Sequence, residues 1–183
     1  MGYTHSWYRQ KVITASIWVK LKADVEKLIA AFPDRVVRDY DQSELPPEVS
    51  GQLIAFNGPE RSGHETFRFP RIRNPRRPGE HPKENGLWFD FCKTEHKPYD
   101  LLVTASLLTL KSYLGDSIKV WTDGRDGEWI HRATGAGGLP GAIPYCERVL
   151  GRGFGLTVSD DGELIAGPNA SREAATKAPL QAS

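Results

Sequence analysis

From Tyr3 to Arg9 (YTHSWYR) apolar and polar residues alternate, the period of a strand with one buried face. The period then lengthens. Trp18, Leu21, Val25, Leu28, Ile29 and Phe32 recur at helical spacing, with Thr14 or Ser16 at the N-cap and Pro33 as the stop. Residues 34–51 hold Pro46, Pro47 and several acids and read as loop. Apolar runs at 52–57 (QLIAFN) and 64–69 (HETFRF), separated by GPERSG, predict a hairpin. The stretch 70–86 carries Pro70, Pro75, Pro78 and Pro82, which remove backbone donors, so it is expected to be irregular. Residues 87–94 (LWFDFCKT) predict a fourth strand. Residues 99–114 are apolar nearly all round until Lys111, the mark of a helix buried against a sheet, with Gly115 closing it. A fifth strand follows at 117–123. Beyond it the pattern weakens to a short helix over 128–134, a glycine-rich connection at 135–141, a helix over 145–151 and a hairpin within 156–165 around an Asp-Gly turn.

The order βαβββαβ, followed by helices and a hairpin, predicts an α+β chain. The first expectation is a ferredoxin-like βαββαβ sandwich with one extra strand and both helices on one face; a three-layer mixed α/β sheet is the alternative. A single domain is expected over residues 1–167. The tail 168–183, rich in Ala and Ser with no core pattern, is expected to be disordered.

Composition narrows the partners. The 183 residues carry a formal net charge of +1, so no global field draws in nucleic acid, and nucleic acid is not the expected partner. Two cysteines, Cys92 and Cys146, outside any CxxC spacing, fit a reducing cytoplasm better than a disulfide framework. The start MGYTHSWYRQ is not a signal peptide, and no apolar run reaches the length of a membrane span.

Strand polarity then suggests where chemistry gathers. A hairpin of the second and third strands puts Asn57 and His64 at one end of a sheet. An antiparallel fourth strand returns Lys93 and Thr94 to that end, where the helix after Pro98 begins. A right-handed crossover brings Thr122 and Asp123 back to it. One rim is thus expected to hold Asn57, His64, Glu65, Lys93, Thr94, Lys97, Tyr99, Asp100, Thr122 and Asp123, and strand ends of this kind favour sites. Pro98 suits the first helical position, which leaves Lys97 as a poor N-cap. A bound anion between Lys93, Lys97 and the helix start, or else Thr94 or Asp100, would satisfy the orphan N–H groups.

Weaker signals read as structure. His64 and Glu65 lie outside any HExxH spacing, so no metal is expected, and no cofactor either. Cys92 within WFDFC reads as packing rather than as a nucleophile paired with His64. Asp90 between aromatics needs a donor if buried, and the arginines of 70–86 are at hand. Arg68, Arg71, Arg73, Arg76 and Arg77 otherwise read as a solvated basic loop. GAGGLPG lacks the GKS or GKT ending of a phosphate loop, and TDGRDG lacks the terminal glutamate of a calcium loop.

Taken in order, MGYTH, AFNG, HETF, FCKT with KPYD, and a DG after the fifth strand resemble a family of small uncharacterised bacteriophage and bacterial proteins, over roughly residues 1–151. Its motif positions (His5, Asn57, His64, Glu65, Lys93, Thr94, Lys97, Tyr99, Asp100, Asp123) overlap the rim. Ser6, where an aromatic often follows the histidine, and the long 70–86 insertion depart from its pattern. The resemblance implies a phage accessory role, such as countering a host defence, in the host cytoplasm. With the rim, it leads to the expectation of a binding protein that sequesters a small phosphate-bearing, nucleotide-derived ligand. Asn57, His64, Lys93, Thr94, Lys97, Tyr99, Asp100 and Thr122 are the expected contacts, and a homo-oligomer is compatible with this reading. An enzyme on similar ligands, a hydrolase or phosphodiesterase with His64 as acid or base and Glu65 or Asp123 as its partner, is the second reading. A protein–protein antagonist acting through 70–86 is the third.

Overall fold

The computed structural model describes residues 3–42, 44–83, 85–123, 129 and 141–167. The alternation at the start survives as β1 (Thr4–Arg9), with His5, Trp7 and Arg9 buried on one face and Thr4, Ser6 and Tyr8 half-buried on the other. β1 is the middle of a three-stranded sheet. β5 (Trp88–Lys93) and β6 (Ile118–Thr122) flank it, each antiparallel to it, with Thr4 opposite Lys93 and His5 opposite Thr122. β5 and β6 therefore run the same way, joined across β1 by a helix, α2 (Asp100–Leu114).

A second antiparallel sheet is built from β2 (Glu48–Val49), β3 (Leu53–Phe56) and β4 (Phe67–Pro70). A hairpin of β7 (Leu156–Val158) and β8 (Leu164–Ala166) turns at Asp161 and Gly162, whose φ of 83° needs no Cβ to be displaced. A Trp121–Glu163 bridge ties this hairpin to β6.

α1 (Ala15–Ala31) buries Trp18, Leu21, Val25 and Leu28, and stops where Phe32 turns extended ahead of Pro33. α2 is buried from Asp100 to Lys111 because it packs against α1, β6 and α3 (Ala142–Leu150). The two sheets meet through aromatic rings: Trp7 lies 5.5 Å from Phe67 and 6.1 Å from Phe69, and Trp18 stacks on Phe69 at 6.5 Å.

The chain is α+β, with the central strands in the order and sense that a ferredoxin-like core requires of three of its four positions. The fourth position is different. The β3–β4 hairpin forms its own sheet with β2 instead of joining β5 by a ladder. The third strand also starts later than the apolar pattern implies, at Phe67 rather than residue 64, because the Asn57 side chain takes both backbone groups of His64. β2 lies within 34–51, expected as loop. The predicted helix at 128–134, most of the 135–141 connection and the 168–183 tail lie outside the described residues, apart from buried Trp129.

Residues 70–86 are irregular as expected, yet they are not merely a solvated loop. Arg73 is buried and its Nε donates to both carboxylate oxygens of Asp90 at 3.0 and 2.9 Å. Arg76 Nη2 reaches Asp90 at 2.9 Å, and Glu80 pairs with Arg73 from the outer side. Asp90 thus finds its donors in the insertion. Arg9 lies against the same cluster, its guanidinium 4.4 Å from the Phe69 ring centre. It is buried, and its Nε and Nη1 have no hydrogen-bond acceptor among the described residues. Burial, only partly offset by Asp90, lowers its pKa to about 10.

Candidate functional site

The predicted rim exists. β1 starts where β5 and β6 end: Thr94 N donates to Tyr3 O at 3.0 Å, Thr4 N to Asp123 Oδ2 at 3.0 Å, and Tyr3 and Thr122 share a hydroxyl contact of 3.1 Å. The loop before β4 meets β5 at the same place. Glu65 N donates to Lys93 O at 3.1 Å, Lys93 N donates to Glu65 Oε2 at 2.8 Å, and His64 Nδ1 donates to Lys93 O at 3.0 Å. His64 and Lys93 are therefore direct neighbours.

Most of the expected contact residues turn out to build this rim from below. Asn57 is fully buried. Its amide donates to His64 O and Thr66 Oγ1, and its carbonyl accepts from Gly58 N and His64 N, so one side chain pins the whole 57–66 loop. Asp100 is buried, accepting from His5 Nε2 at 2.7 Å and from the Thr94 hydroxyl. Tyr99 is buried with its hydroxyl donating to Glu65 O at 2.7 Å, so its ring is not a surface for stacking. The start of α2 does not wait for an anion either. Asp100 N donates to Lys97 O, and Leu102 and Val103 N–H groups donate to Tyr99 O. Lys93 departs further from expectation. Its ammonium lies 5.8 Å from the Phe91 ring centre, on the outer face of the sheet, because β5 turns Asp90 and Cys92 inward and Phe91 and Lys93 outward.

What opens to solvent beside the rim is a groove of about 550 Å³ lined by Tyr40, Glu60, Arg61, Gly63, His64, Glu65, Glu95 and Lys97. Of the predicted contacts it holds His64 and Lys97, and Glu65 from the catalytic alternative. His64 and Glu65 share it because they precede the strand rather than alternate within it. The Lys93 carbonyl can only accept, so His64 carries a proton on Nδ1, and Nε2 faces the groove, where it donates to a carboxylate only when it is protonated too. Nε2 lies 3.3 Å from Glu95 Oε1. Glu95, rather than Glu65 or Asp123, is the carboxylate that partners this imidazole. Glu65 is engaged by the Lys93 amide and Asp123 by the Thr4 amide.

Backbone strain gathers here too. Among the described residues the non-glycine residues with positive φ are Glu60 at 47°, Glu95 at 49° and His96 at 55°. Two of them line the groove. The third adjoins it and is held by stacking on Tyr3 at 3.8 Å. Such conformations cost of order 1–3 kcal/mol each and gather where function needs them. Tyr40, Arg61 and Glu95 carried no sequence signal, since they sit in turns whose path the pattern does not set.

The Cys92 thiol is fully buried, donates to Glu65 O at 3.4 Å, and is pushed far up by burial and by the charges of Glu65 and Asp100, so it is inert packing. No group of three or more metal-ligating side chains occurs among the described residues, and none of their helices is long and apolar enough to cross a membrane. No family model, curated protein or solved structure matches the chain.

Proposed function

We propose that the groove beside His64 binds a small nucleotide-type ligand and that the protein acts by holding it. The observation that carries this reading is the company kept in one groove. An exposed aromatic ring, Tyr40, lies with two cations, Arg61 and Lys97, beside an imidazole whose orientation is set by the backbone. A planar ring suits a base, and cations suit a phosphate. Glu65 and Glu95 are engaged locally, by an amide and by His64, and Arg61 makes no ion pair among the described residues. The ligand carries modest charge on this reading, because three carboxylates offset the cations and the groove has no net positive field. In a phage setting the retained ligand would be a host defence signal.

Acid–base hydrolysis of the same ligand is the second reading, favoured by the Lys93 O–His64–Glu95 arrangement, in which two acceptors hold a protonated imidazole in place as a general acid. One experiment separates the two. The protein is incubated with a panel of mono-, di- and cyclic nucleotides, its thermal stabilisation is measured, and the bound fraction is released by denaturation and identified. Intact release supports sequestration, and altered product supports catalysis. Arg61→Ala with Lys97→Ala is expected to abolish the stabilisation. Full stabilisation by every binder in that variant, or none by any nucleotide in the parent protein, overturns the proposal.

A further inference from the structure

The opposite side of the central sheet carries a second pattern. On β1, β5 and β6 the outward positions are Thr4, Ser6 and Tyr8, then Phe89, Phe91 and Lys93, then Lys119 and Trp121. Among the described residues no helix covers these rings: Phe91 is 42% exposed, and Tyr8, Phe89 and Trp121 are half-buried. They form one continuous set, with Tyr8 4.9 Å from Phe89, 5.6 Å and perpendicular to Trp121, and Phe89 6.0 Å from Phe91.

Register explains the shape. Ser6 faces Phe91 on one side and Trp121 on the other. The smallest side chain of the face thus lies between two rings on strands about 10 Å apart, twice the interstrand spacing. A depression of about 450 Å³ opens on the Tyr8 side of Ser6, lined by Ser6, Tyr8, Asn85, Phe89, Lys119 and Trp121, with Phe91 beside it. None of the outward strand positions is acidic. Two are lysines, one of them already over a ring.

From this geometry we infer that the outer face of the central sheet binds single-stranded nucleic acid, with one base over Ser6 between Trp121 and Phe89, the next on the adjoining Phe91 ring, and the backbone phosphates on Lys93 and Lys119. Exposed aromatics on an open sheet stack unpaired bases whatever their sequence, and lysines at the edge of the platform meet the phosphates. The near-zero net charge of the whole chain does not oppose this, because Lys93 and Lys119 lie among the rings, while the carboxylates sit at the margin: Glu163 bridged to Trp121, and Asp123 accepting from the Thr4 amide. A second copy of the chain fits less well. It would bring Lys93 and Lys119, which lie among the rings, against their own image.

Fluorescence anisotropy of the full chain with labelled oligothymidylate, with its duplex on oligoadenylate, and with the RNA equivalent tests this. Binding to single strands over duplex is expected, with quenching of tryptophan emission. With two lysines engaged, log K should fall with log salt at a slope of about −1 to −1.5. Phe91→Ala and Trp121→Ala, checked for unchanged melting temperature, should each weaken binding at least tenfold. Phe91 is exposed enough that its loss does not threaten folding. Absence of binding, equal binding to duplex, or unchanged affinity in both variants overturns the inference. So does a loss of binding in Arg61→Ala, which would move the oligonucleotide to the groove. Concentration-dependent dimerisation abolished by Phe91→Ala, without oligonucleotide binding, assigns the face to a second copy instead.

Discussion

At the scale of single residues, two kinds of stored cost stand out. Arg9 is a buried cation with two nitrogens, Nε and Nη1, that find no acceptor among the described residues, and its neighbour Asp90 is already served by Arg73 and Arg76. Replacing such a charge with an apolar side chain of similar length is often stabilising. Arg9→Met is therefore expected to raise stability by about 1–2 kcal/mol, whereas Asp90→Asn, which strands the arginines, should lower it by about 3 kcal/mol. Urea unfolding of both variants checks the opposite signs. Glu95 is the other case. Its φ of 49° is one that glycine adopts freely. Glu95→Gly should recover about 1 kcal/mol of left-handed strain while weakening ligand binding through the loss of the His64 partner. Glu95→Gln keeps the strain and removes only the charge. Melting temperature and nucleotide stabilisation measured on both separate the two effects.

At the scale of elements, the loop joining β3 to β4 shows how a site is held. Gly58 and Gly63 lie so close that a Cβ on Gly58 would sit 2.0 Å from Ser62 O, and one on Gly63 2.3 Å from Gly58 O. Gly58→Ala should thus force the loop apart, at about 3 kcal/mol, the upper end of the cost of overfilling a packed site. It should also release the Asn57 clamp on His64, read as a changed imidazole signal in NMR. This loop marks the boundary of what the sequence reveals. Every strand but the two-residue β2, both long helices and the shared rim were legible because period and crossover handedness act over many residues at once. The direction of Lys93 was legible too, since alternation from Cys92 turns it outward, but reasoning by strand ends alone passed over the face. Tyr40, Arg61 and Glu95 were not legible. Their positions depend on local turn geometry and on Asn57 capturing four partners, which no pattern of apolar residues encodes.

For the molecule as a whole, stability at low pH hinges on Asp24. This buried carboxylate of α1 accepts from Tyr113 on α2 at 2.8 Å, from Arg152 after α3 at 3.1 Å and from Lys27 at 3.3 Å. Burial alone would raise its pKa, but these donors outweigh it and hold the carboxyl below its ordinary value. The unfolded chain therefore binds the proton first as pH falls. Its contribution is complete above the ordinary carboxylate range and is lost as pH drops through the lower folded value. Asp24→Asn should cost about 2 kcal/mol near neutrality, as expected for hydrogen bonds to a charged acceptor. The gap to the parent protein should close in acid, as urea midpoints at several pH values would show. The central position of β1 has a further bearing, on biosynthesis. Its hydrogen-bonding partners on both edges, around Lys93 and Thr122, leave the ribosome long after it does. Until then an aromatic-rich ribbon waits without neighbours. Nascent chains stalled before residue 118 are expected to engage chaperones strongly, and those released after it to do so far less.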